Sequence, residues 1–338
     1  MTTDALADNR CRYPGPGQGF YEVWFATLND PVTGCGFWFR YTLDQPLGAP
    51  RPVPGLWACF FDPGAGSRPF GLRRELPAES WRPPTNARAP PFAVDAAVFD
   101  GERLRGSVQD GGRAIDWDLR LEPAPEAFQH VDQRARKLFK PRTLICAPNL
   151  AVPFSGVVHV NGRELVLDRA PGCQQHIWGS KHAERWAWAH CNAFDGEPGT
   201  TFEGLAASPR KGPFTLPLLT LALLHHRGQE FRFNQIARLV SAHNDLGDYA
   251  WRMQTGDGRH RVVIEARSVP ERMLQVEYPD PDGNRSFCIN TEIASMSVFL
   301  EGRRGRLGLW ETMASLTSSG TTHFELGARE QRPGIPLL

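Results

Sequence analysis

From residue 20 to residue 122 no stretch of this chain carries a helical period, and short runs of aromatic and β-branched residues alternate with turn residues. GFYEVWFATL is followed by the turn NDPVTG and then by CGFWFRYTL, which reads as a hairpin. GLWACFF, FAVDAAVF, RLRGSV and IDWDLRL continue the series. After a Pro-bracketed stretch the pattern resumes. SGVVHV, the turn NG and RELVLDRA form the strongest hairpin signal, because Asn-Gly accepts the positive φ that a two-residue turn requires. WRMQT–GDG–RHRVVIEARS and MLQVEY–PDPDGN–RSFCINTEIASMSVFLE follow. The 33 Gly and 29 Pro suit a chain with many turns.

This pattern predicts an all-β protein made of two consecutive antiparallel meanders. Closing such meanders into barrels removes their exposed edges, and barrels of roughly eight strands can enclose one ligand. The expected division is a flexible arm at 1–18, a first barrel at 19–125, a connector at 126–150, a second barrel at 151–327 and a disordered tail at 328–338.

Charge excludes several partners. Lys and Arg total 38 against 37 Asp and Glu, which leaves no electrostatic footprint for nucleic acid or an anionic membrane. The N-terminal residues lack the apolar core of a secretory signal, and no run of about 18 apolar residues occurs, so a cytoplasmic protein without stable membrane insertion is expected. Seven cysteines without a CxxC pair argue for reduced thiols rather than disulfides or structural zinc.

The segment GCQQHIWGSKHAERWAWAHCNAFDG, residues 172–196, concentrates the chemistry. In an extended strand Glu184, Trp186, Trp188, His190 and Asn192 share one face. Aromatic walls with a few polar groups describe a ligand pocket, although a packed core with satisfied polar tips uses the same residue types. In the first hairpin one register sets Glu22 across from Arg40 and Trp24 across from Trp38, which predicts an ion pair beside two indoles. A metal site from Cys173, His176, His190 and Cys191 is not expected, since Cys191 points opposite to His190 and no zinc spacing is present.

YEVWFATL…GCGFWFRYTL, together with His176, Trp178, Gly179, Trp186, Trp188 and the closing HFELG, resembles the double-lipocalin superfamily. That superfamily holds the carotenoid 1,2-hydratases, the AttH-like proteins and, more distantly, tocopherol cyclases and fungal pericyclases. The resemblance spans roughly residues 19–327. It implies two lipocalin-like barrels and a lipid-type ligand. Two positions depart from its pattern: the acid before the His is Gln175, and the second Trp of the first motif is Val23. A glutamine cannot supply the proton that carotenoid hydration needs.

Protonating an isoprenoid alkene requires a positioned acid in a dry pocket and aromatic faces for the cation. Glu22, Glu184, Glu203 and Glu325 are acids near aromatic residues. The expected catalytic group is Glu22, His176 and Gln175. The expected ligand-binding group is Trp24, Trp38, Arg40, Trp178, Trp186, Trp188 and His190. Two functions remain open: a cofactor-independent hydratase, cyclase or isomerase acting on a hydrophobic isoprenoid, and a non-catalytic carrier of the same kind of molecule. Filled barrels with an interaction role are a third possibility.

Overall fold

The computed structural model describes residues 5–86, 89–131, 136–137, 140–235, 238–305 and 308–338. The described residues form two large antiparallel sheets. The first runs from the strand Gln18–Asn29 to the strand Arg163–Gly179, and these two pair with each other. The second runs from Arg185–Cys191 to Glu311–Ala328, and these again pair with each other. Each sheet is therefore a meander whose last strand returns to its first. No described helix is long and apolar enough to cross a membrane.

The change of sheet falls at residues 180–184, not at 126–150. Thr143–Val160 is a strand of the first sheet and pairs with Arg113–Leu121. The prolines that bracket the expected connector break local periodicity, but they do not end the sheet. Residues 132–135 and 138–139 of that connector lie outside the described residues.

The expected flexible arm is packed at its inner end. Asn9 is buried and exchanges two amide hydrogen bonds with Gln174, at 3.0 and 2.9 Å. The expected disordered tail is also ordered: Leu338 N–H donates to the Gln275 carbonyl at 2.8 Å, and Ile335 is buried. Low hydropathy in these segments concealed backbone hydrogen bonds to distant strands.

The strand Gln18–Asn29 is buried at every position after Gln18. Its even side chains Trp24, Ala26 and Leu28 enter a core inside the first sheet, with Phe37, Phe39, Tyr41 and Trp117. Its odd side chains Tyr21, Val23 and Phe25 enter a different cluster, shared with Trp186, Trp188, Tyr278 and Cys288 from the second sheet. The second sheet has its own core on its far side, where Ala187, Ala189 and Cys191 point. The near-continuous apolar sequence of the first strand follows from this burial on both faces.

The first hairpin has a different register from the one expected. The loop Asp30–Cys35 is closed by Asp30 N–H to the Cys35 carbonyl at 2.8 Å, so Asn29 pairs with Gly36 and Phe25 pairs with Arg40. Glu22 faces Leu43, and Trp24 faces Tyr41. A shift by an odd number of residues sends every side chain to the other face. Glu22 and Arg40 accordingly lie on opposite sides of the sheet and form no pair.

One glycine fixes the wall between the sheets. Trp186 pairs with Gly327, and a Cβ at Gly327 would fall inside the Trp186 indole. Gly327→Ala should cost about 1–3 kcal/mol through overpacking. A lower urea midpoint with an altered Trp emission spectrum checks this.

Candidate functional site

A cavity of about 930 Å³ lies between the two sheets, not inside either barrel. From the first sheet it is lined by Tyr21, Val23, Phe25, Trp38, Arg40, Gln175 and Ile177. The second sheet contributes Trp186, Trp188, Leu205, Ala207, Leu221 and Glu325, with His182 and Tyr278 beside them. Pairing explains this convergence. Trp186, Trp188 and His190 stand opposite Gly327, Glu325 and His323 along one ladder. Val23, Phe25 and Thr27 stand opposite Ile177, Gln175 and Cys173 along the other. The two ladders present one face each to the shared layer, and the side chains become more polar towards Thr27 and His323.

Arg40 is buried, yet it forms no ion pair among the described residues, and its Nε has no hydrogen-bond partner. Its guanidinium lies over the rings of Tyr278, Trp57 and Trp38, with centroid distances of 4.3, 5.1 and 5.6 Å. These faces offset part of the cost of burying the cation. They offer it no anion.

Glu325 opens on the same cavity beside its strand partner Trp188. The Cys288 thiol donates to its Oε2 at 3.6 Å. Burial pushes the Glu325 carboxyl above the ordinary glutamate range, with Arg40 acting in the opposite direction. His182 shows the opposite tendency. Burial pushes it below the ordinary histidine value, against the pull of Asp280. Its Nδ1 lies 2.8 Å from Asp280 Oδ1, which leaves Nε2 as the nitrogen available to a ligand. The ring stacks on Tyr21 at 4.3 Å and on Tyr278 at 5.4 Å. Asp280 is in turn anchored by Lys181 and Arg329.

The expected site residues divide into two groups. Trp38, Arg40, Gln175, Trp186 and Trp188 line the cavity. Glu22, Trp24, His176, Trp178 and His190 do not line it. Glu22 is fully buried and accepts hydrogen bonds from Arg12 N–H at 2.6 Å and the Cys11 thiol at 3.2 Å. His176 Nε2 lies 2.9 Å from Glu22, and its Nδ1 lies 2.7 Å from the Asp8 carbonyl. Both ring nitrogens thus meet oxygen acceptors, and the pair clamps residues 8–12 onto the sheet. Trp24 stacks on His176 at 5.0 Å and donates to the Asn9 carbonyl at 2.9 Å. Trp178 is half-buried, with the Arg12 guanidinium 5.2 Å from its ring. The alternation that placed these side chains together also turned them towards the first core.

Gln175 is held by Glu203, one of the acids that the sequence places near aromatic residues. Glu203 is buried, and its Oε1 accepts from Gln175 Nε2 at 3.1 Å and Trp188 Nε1 at 2.8 Å. His130 Nε2 lies 2.7 Å from Oε1, and His190 Nδ1 lies 3.0 Å from Oε2. Burial alone would raise the Glu203 carboxyl, but His130 and His190 overcome it and bring it down to about 2. His182, Asp280 and Tyr278 gave no sequence signal, because their contacts cross from one strand connection to another.

The fold and the family agree. The chain belongs to the tocopherol cyclase-like family, whose model matches residues 99–328, more than half of the 338 residues. It is 29% identical over 318 residues to an uncharacterized protein of Mycobacterium tuberculosis, covering 92% of this chain and 87% of that one. It is 23% identical over 309 residues to the chloroplastic tocopherol cyclase of Zea mays, covering 75% of this chain and 63% of that one. An AttH-type crystal structure from Nitrosomonas europaea superposes with a TM-score of 0.52 at 12% identity, covering 95% of this chain and 97% of that one. This likeness is one of fold and supports the double lipocalin-like architecture.

The Glu203 network predicts a pH dependence. Its folded carboxyl titrates near 2, against an ordinary value of 4.5. The stabilisation it provides is therefore complete above about pH 4.5 and is lost as pH falls towards 2. Glu203→Gln should lower stability near neutrality by about 3–5 kcal/mol, as breaking a buried pair does. Urea unfolding across pH should show a flatter acid limb in this variant than in the parent.

Proposed function

We propose that this protein is a cofactor-independent enzyme that protonates an alkene of an amphipathic isoprenoid and closes a ring onto the substrate's own oxygen. The observation that carries the reading is the pairing of Glu325, pushed up by burial, with His182, pushed down by burial, on one aromatic-walled cavity. Titratable groups driven apart in this way are suited to act as acid and base at the same pH.

In this reading Glu325 O–H adds its proton to one alkene carbon. Positive charge then develops on the neighbouring carbon, facing the indoles of Trp188 and Trp38. A substrate hydroxyl forms the new C–O bond, and His182 Nε2 takes the proton that the oxygen loses. Return of that proton from His182 to Glu325 through solvent restores both groups. Arg40 supplies the missing polar contact: a buried cation without an anion favours a ligand whose oxygen-bearing head reaches it. The cavity volume falls within the usual range for enclosing a small organic ligand. The name of the maize relative favours ring closure over addition of water.

Glu325 replaces Glu22 as the proposed acid, and His182 replaces His176 as the proposed base. Gln175 becomes a wall residue held by Glu203. The alternative of a non-catalytic carrier shares the cavity and differs only in turnover.

The test uses prenylated phenols with an alkene within ring-closing distance of the hydroxyl. Glu325→Gln should lower kcat at least 100-fold and leave ligand binding within a few-fold, since positioned acid catalysis contributes about 10²–10⁴. Binding without turnover in the parent protein would establish the carrier instead. Arg40→Gln should weaken binding of the hydroxylated ligand by about 10–100-fold, the scale of a hydrogen bond to a charged group. Affinity for the matching hydrocarbon should be unchanged, as read by quenching of Trp emission.

A further inference from the structure

Beyond the cavity, the shared layer ends in a buried polar cluster that the proposed reaction does not use. Cys173 lies on the first sheet, and His190 and His323 lie on the second. All three are fully buried, and one candidate ligand atom from each lies within 4.8 Å of the others. A point central to three such atoms is no more than about 2.8 Å from each, so inward shifts of under about 1 Å would reach the Zn–S and Zn–N distances of about 2.3 and 2.0–2.1 Å. We infer that Cys173, His190 and His323 form a zinc site that staples the two sheets together.

The surrounding hydrogen bonds orient both imidazoles for this purpose. His190 Nδ1 lies 3.0 Å from Glu203 Oε2, so its proton belongs there, and Nε2 is the nitrogen that a metal would take in exchange for a proton. That Nε2 is buried and has no hydrogen-bond partner. His323 Nε2 lies 2.9 Å from Asn29 Oδ1, whose own amide group donates to the Glu292 carbonyl at 2.6 Å. The His323 proton therefore sits on Nε2, and the lone pair sits on Nδ1. His323 Nδ1 and the Cys173 sulfur share the Thr27 hydroxyl, at 2.6 and 3.3 Å. Nδ1 is thus the nitrogen on the Cys173 side.

Acceptors behind ligating imidazoles are the usual support of a zinc site. Here Glu203 stands behind His190, and Asn29 stands behind His323 with Glu292 Oε2 at 3.9 Å. Both Glu292 carboxyl oxygens are buried without a hydrogen-bond partner, which leaves an open polar group beside the cluster. A soft thiolate with two imidazoles selects zinc over magnesium or calcium. The expectation of no metal site considered Cys191 as a ligand. Cys191 does point into the second core, and His323, 132 residues further along the chain, takes its place.

The test is the metal content of the full chain. After expression in zinc-supplemented medium and dialysis against EDTA, the parent protein should retain one zinc per chain by inductively coupled plasma mass spectrometry. Cobalt loaded in its place should show a thiolate charge-transfer band and tetrahedral visible absorption. Cys173→Ser and His323→Asn should each lose the metal, and Cys191→Ser should keep it. The melting temperature of the parent should fall when zinc is stripped under denaturing conditions and the chain is refolded without it. A folded parent that retains no zinc, or binds cobalt without the thiolate band, overturns the site. These readouts on the parent decide the matter even if a variant fails to fold.

Discussion

The structure depends on burying both faces of the first strand and of the segments of three others that meet in the shared layer. Gln18–Asn29 and Arg163–Gly179 cover the first core with one face and the shared layer with the other, and Arg185–Cys191 and Glu311–Ala328 do the same for the second sheet. A single meander would leave Tyr21, Val23, Phe25 and Ile177 in water. Packing two meanders through their closing strands removes that surface and creates a third apolar layer. The cavity is the part of this layer that side chains do not fill, so its walls and the association of the sheets draw on the same residues.

Burial in this layer also sets the chemistry. Three acids on the second sheet respond differently to one low-polarity environment. Glu203, surrounded by two imidazoles, an indole N–H and an amide, stays ionised. Glu325, with the Trp186 indole and the Cys288 thiol as donors and a cation acting through space, is held protonated more readily. Glu292, without any donor, is raised furthest from its ordinary state by burial and by its neighbour Glu325. The number of donors, rather than the depth of burial, separates their roles.

Much of the fold was legible in the sequence. Strand-forming runs with Gly, Pro and Asn-Gly turns define an all-β chain through local sterics, and Trp-x-Trp-x-His places three side chains on one face because strands alternate. The site was legible in part. Trp38, Arg40, Trp186 and Trp188 were recognisable as aromatic and cationic groups of one site, and they line the cavity. Glu22 and His176 were recognisable as catalytic candidates, but not as a clamp on residues 8–12, because the Asp8 carbonyl and the Arg12 N–H that they meet belong to a stretch with no periodic pattern.

Register and long-range pairing were decided only in three dimensions. The loop Asp30–Cys35 sets the pairing of Phe25 with Arg40, and this sends Arg40 into the shared layer and Glu22 away from it. Asp280 reaches His182, Glu203 reaches His130, and His323 reaches Thr27 across separations of 98, 73 and 296 residues. The sequence by itself determined which strands would form and which side chains would share a face, since those follow from backbone period and turn chemistry. Which face met which, and therefore where the cavity and its acid lie, followed from packing two sheets, an interaction between residues that carry no local trace of one another.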